Sequence, residues 1–62
     1  MKYVLEVDDD YELRLEMFKE NDDLVCIKIC DMNYGCKPIY LDSDQLFQVI
    51  VVLSHLRKQI EE

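Results

Sequence analysis

Residues 41–62 read L-D-S-D-Q-L-F-Q-V-I-V-V-L-S-H-L-R-K-Q-I-E-E, and this stretch decides the fold. Asp42 stands where a helix N-cap belongs, with Gln45 three residues on, the spacing of a capping box. Leu41 before the cap and Leu46 after it are placed to close a hydrophobic staple. Leu46, Val49, Ile50, Leu53, Leu56 and Ile60 then recur at helical spacing and span roughly 120° of the helix surface, the width of one packed face. The β-branched run Val49-Ile50-Val51-Val52 is a poor helix former taken alone. The cap, the continuing leucines and the basic Arg57-Lys58 pair near the negative end of the helix dipole decide for helix.

This helix carries more apolar surface than one core needs. Phe47 and Val51 lie off the stripe, one turn apart, and Val52 lies on its other flank. Two readings stay open: the sheet curls far enough to reach these side chains, or they meet a second protein surface. Burying a Phe or Val side chain is worth ~1.5–3 kcal/mol, so leaving both in water forgoes a substantial gain. Phe47, Val51, Val52 and the off-stripe His55 are therefore the candidate interface residues.

Upstream, Lys2 to Val7 alternates as a half-buried strand, and Asp8-Asp9-Asp10 suits a tight turn. Tyr11 to Phe18 places Tyr11, Leu13, Leu15 and Met17 on one face and Glu12, Arg14 and Glu16 on the other. Glu20-Asn21-Asp22-Asp23 is a second polar turn. Leu24 to Asp31 puts Val25, Ile27 and Ile29 inward and Cys26, Lys28 and Cys30 outward. Asn33-Tyr34-Gly35 turns around the only glycine, and Pro38 to Leu41 reads as a fourth strand or an edge, since proline cannot donate to a central ladder. The expected fold is α+β: an antiparallel meander of three to four strands with one C-terminal helix packed across one face.

The 62 residues make a single domain, 1–62, and half of them are hydrophobic. A chain this short has little interior and often gains stability by oligomerising. The net charge of −7 comes from 14 acidic and 7 basic side chains. That balance weighs against phosphate-backbone binding, which runs on Lys and Arg. It suits solubility, a basic partner or mimicry of nucleic acid. The first residues carry no apolar signal-peptide core, and no apolar run reaches the ~20 residues of a membrane span. With three cysteines in no secretory spacing, the expectation is an intracellular, cytoplasmic chain with reduced thiols.

Few residues suggest chemistry. Cys26 and Cys30, four apart in a strand, stand ~13 Å apart, too far for a disulfide or a shared tetrahedral metal. Cys30, Cys36 and His55 are a scattered set, so the cysteines read as half-buried structural thiols, with no metal and no cofactor. His55 has no nucleophile placed beside it, Asp8–Asp10 lacks the pattern of a calcium loop, and a single glycine rules out a phosphate-cradling loop. No catalytic residue and no small-molecule substrate are expected.

The stretch K-P-I-Y-L-D-S-D-Q-L-F-Q-V-I, with L-V-C-I-K-I-C-D-M before it, resembles the transcriptional coactivator family called positive cofactor four. The likeness covers about residues 24 to 56, through a basic residue, an I-x-L strand and a polar turn leading into the helix. It implies four strands and a helix, dimeric through helix and sheet, with single-stranded DNA bound on the open sheet face by Arg14, Lys28 and Lys37. Glu6, Glu12 and Glu16 depart from that pattern on the same face. By size and acidity alone, the chain is also similar in type to small inhibitors encoded by bacteriophages. The expected function is a non-enzymatic protein-interaction module, homodimeric, that inhibits or regulates a host or cellular protein. The alternative is a single-stranded nucleic-acid-binding, coactivator-like module.

Overall fold

The computed structural model describes every residue except Asp9, Tyr11 and Glu62. Strands β1 (Lys2–Asp8), β2 (Leu13–Lys19), β3 (Val25–Asp31) and β4 (Gly35–Leu41) precede one helix, α1 (Ser43–Glu61). The strands form one antiparallel sheet in sequence order, so the expected α+β meander stands, with a complete fourth strand. Pro38 lies opposite Lys28 on β4, an edge strand, where a missing donor is tolerated.

Side chains of Asn21 and Asp31 close two of the turns. Asn21 Oδ1 accepts the N–H groups of Asp23 and Leu24. Asp31 Oδ1 accepts those of Asn33 and Tyr34, and Gly35 follows at φ +78°, a left-handed conformation that favours glycine. Between β1 and β2 the register slips after Glu6, so that Asp8 faces Leu13. In that acidic turn the Asp10 N–H donates to the Asp8 carboxylate. The sequence expectations for Asp9 and for an inward Tyr11 fall outside the described residues.

The register sorts the side chains into two faces. Leu5, Leu15, Ile29 and Lys37 lie in one cross-strand row, and Tyr3, Met17, Ile27 and Ile39 in the next. This is the apolar face expected to form the core. Yet Leu5, Ile29 and Ile39 are exposed, and Leu15, Met17 and Ile27 are only half-buried. The opposite face, expected outside, holds the fully enclosed Cys26 and Cys30 and the buried Glu16. Local side-chain lengths explain the reversal. Cys26 lies between Phe18 and Tyr40 on the flanking strands, and Cys30 between Arg14 and Cys36. Long neighbours thus overhang the short side chains of β3.

The helix is the second correction. Its capping box forms as read: the Asp42 N–H donates to Gln45 Oε1 and the Gln45 N–H to Asp42 Oδ1, each at 2.9 Å. Leu41 and Leu46, the two staple positions, are both half-buried. Beyond that first turn, α1 leaves the sheet rather than packing across it. It meets β4 alone among the strands and buries none of its residues. Within one copy, the stripe beyond Leu46 is left to water and the apolar sheet face is only partly covered.

Candidate functional site

An uncovered apolar surface runs along α1 and, near the start of the helix, borders the sheet. Phe47 is 68 % exposed, Leu53 58 % and Ile60 84 %. Ile50, Val51 and Val52 are each more than half exposed as well. Single exposed apolar residues are ordinary on a protein surface, whereas a contiguous stripe of them marks an interaction surface. Near its start the stripe borders a groove of about 410 Å³, walled by Leu24, Val25, Leu46, Phe47 and Ile50. Asp22 and Asp23 of the β2–β3 turn line the same groove.

Of the interface residues read from the sequence, Phe47 belongs to this groove. Val51 and His55 share a neighbouring hollow with Ile50, Ser54 and Lys58. Val52 joins Val49 and Leu53 in a third hollow. All four side chains are exposed. They therefore form a surface wrapped around the helix rather than one compact patch, and the core stripe itself is part of that surface.

On the other sheet face, Glu16 is the electrostatic centre. Its carboxylate pairs with Lys2 Nζ at 2.7 Å and Arg14 Nε at 2.8 Å. Hydrogen bonds from Lys2 and then Arg14 hold its pKa below the ordinary 4.5, against the cost of burial. Beside it, Lys28 Nζ lies 5.2 Å from the centre of the Phe18 ring, a cation–π contact. The Tyr40 phenol is pushed above its usual range, first by the charge of the neighbouring Cys26 sulfur and then by desolvation.

The candidate nucleic-acid residues do not converge. Arg14 and Lys28 share the Glu16 face, but Lys37 lies opposite Ile29 and so belongs to the apolar face. Arg14 is also engaged by Glu16. Phe18 and Tyr40, which sequence reading passed over, do stand on the Glu16 face; their register opposite Cys26 was the signal available.

The cysteines also need correcting. Cys30 and Cys36 are joined by a disulfide, with Cα atoms 4.0 Å apart, while Cys26 is free and fully buried. The physical reason is register, because the two residues face each other across β3 and β4. Cys26 and Cys30 are unpaired with each other, as their strand spacing requires. Glu16 Oε and the two bonded sulfurs lie within 4.8 Å of one another. The sulfurs are consumed by their bond and the carboxylate by two cations, and His55 is exposed on the helix. Among the described residues no helix is long and apolar enough to cross a membrane.

Comparison of the chain with protein-family models, curated proteins and solved structures finds no match.

Proposed function

We propose that this chain is a non-enzymatic protein-interaction module that works as a homodimer and inhibits or regulates a second protein. One observation carries this reading: beyond its first turn a well-capped helix holds its apolar stripe in water, beside an apolar sheet face that is only partly covered. Among the described residues no other element covers either. Covering each large side chain gains ~1.5–3 kcal/mol, so association is the available route to that stabilisation. A like-with-like contact is two-fold and places the same helix surface of each copy together. The acidic turns at Asp22–Asp23 and Asp31 are then best placed at the rim, where a basic partner would find them.

A second reading, single-stranded nucleic-acid binding, draws on Arg14, Lys28, Phe18 and Tyr40 sharing one face. Aromatic and basic side chains interleaved in this way are what base stacking and phosphate contact use. The pairing of Arg14 with Glu16 and the net negative charge weigh against it. Titration with fluorescent single-stranded DNA at low and moderate salt separates the two. Binding that weakens steeply with salt supports the second reading. No binding at low salt leaves the protein-interaction reading, which native mass spectrometry of the free chain then tests through its dimer.

A further inference from the structure

We propose that the Cys30–Cys36 bond is an exchange site for small thiols, entered at the sulfur of Cys36. The two ends of this bond differ sharply in access. Cys36 is exposed on the edge strand β4, whereas Cys30 is 1 % exposed on the central strand β3. Thiol–disulfide exchange goes through a thiolate attacking one sulfur and expelling the other, so access decides which is attacked. An attacker from solvent meets Cys36, and Cys30 is the leaving group.

Charge does not decide the direction of attack. Arg14 lies across from Cys30 on β2, but it is paired with Glu16, whose carboxylate lies within 4.8 Å of both sulfurs, and Glu6 faces it on β1. Access therefore selects the sulfur that is attacked. No third thiol interferes. Cys26 is 0 % exposed, and its place four residues along the same strand puts it ~13 Å from Cys30. The pair therefore has two clean protein states, bonded and open.

The exchange balances without another oxidant or reductant. A thiolate RS⁻ forms an S–S bond to Cys36 as the Cys30–Cys36 bond breaks, leaving Cys30 as a thiolate. A second RS⁻ attacks the R-bearing sulfur, releasing RSSR and the Cys36 thiolate, and both protein thiolates take up protons from water. Two thiols have supplied the two electrons, and a small disulfide runs the sequence in reverse. In the mixed disulfide, Cys36 carries the R group on the face shared by Arg14, Lys28 and Tyr40, so exchange covers or frees that face. This inference does not depend on self-association.

The test uses the intact chain in buffers of varied reduced-to-oxidised glutathione ratio, quenched by alkylation and mapped by peptide mass spectrometry. The expected result is reversible interconversion, with the glutathione adduct on Cys36 and with Cys26 alkylated only after denaturation. An adduct on Cys30 overturns the assignment. So does a native chain whose bond resists a ratio that opens it after denaturation, or one that never forms the bond in oxidised glutathione.

Discussion

Truncating Phe47 to alanine should dissociate the proposed dimer while leaving the sheet folded. Full burial of a Phe side chain is worth ~2.5 kcal/mol, within the usual range for large apolar groups. In one copy 68 % of Phe47 is still exposed, so about 1.7 kcal/mol per copy remains to be gained on association. A two-fold interface contains the residue twice, which makes about 3.4 kcal/mol, or roughly a 300-fold rise in the dimer dissociation constant. Phe47→Asp should go further, because it sets a charge where an apolar contact formed. Sedimentation equilibrium over a concentration series measures the constant, and far-ultraviolet circular dichroism checks the fold. An unchanged constant in a folded Phe47→Ala variant would refute a Phe47-centred interface.

Three further outcomes follow from individual contacts. Removing the disulfide with Cys30→Ser and Cys36→Ser releases a short loop, worth roughly 2–2.5 kcal/mol by chain entropy. Thermal unfolding at fixed protein concentration should show a fall of roughly 15–19 °C for a domain of this size. Asp42→Ala removes the helix cap and should cost about 1 kcal/mol, read as lost helical dichroism. Because Glu16 has a lowered folded pKa, its contribution is fully present above the ordinary 4.5 and is lost as pH falls through the lowered value. Denaturation of the unmodified chain should show that acid loss, and Glu16→Gln should lack it.

Much of the fold could be read directly from the residues. Period-two alternation and polar turns marked the strands, and the Asp42–Gln45 box marked the helix start to the residue. What could not be read was which face is enclosed. Alternation tells two faces apart, but enclosure depends on the lengths of cross-strand neighbours, and Phe18, Tyr40 and Arg14 overhang Cys26 and Cys30. The disulfide was more nearly within reach. Cys30 and Cys36 are equidistant from Asn33, so a hairpin centred there sets them opposite each other. The reading of scattered thiols followed from spacing along one strand and omitted pairing between strands. The same limit applies to Lys37, which is a phosphate-binding candidate by composition and lies on the opposite face from Arg14 and Lys28 by register. The helix stripe was read as packing on this chain's own sheet, whereas α1 meets β4 alone and buries none of its residues; period and capping set where a helix begins and which face is apolar, and leave its angle to the sheet open.

The central claim is that a second copy covers the helix stripe. Sedimentation equilibrium of the unmodified, disulfide-bonded chain at tens of micromolar measures it most directly. A single species of twice the chain's 7.5 kDa mass is expected. A monomer across that concentration range contradicts the claim.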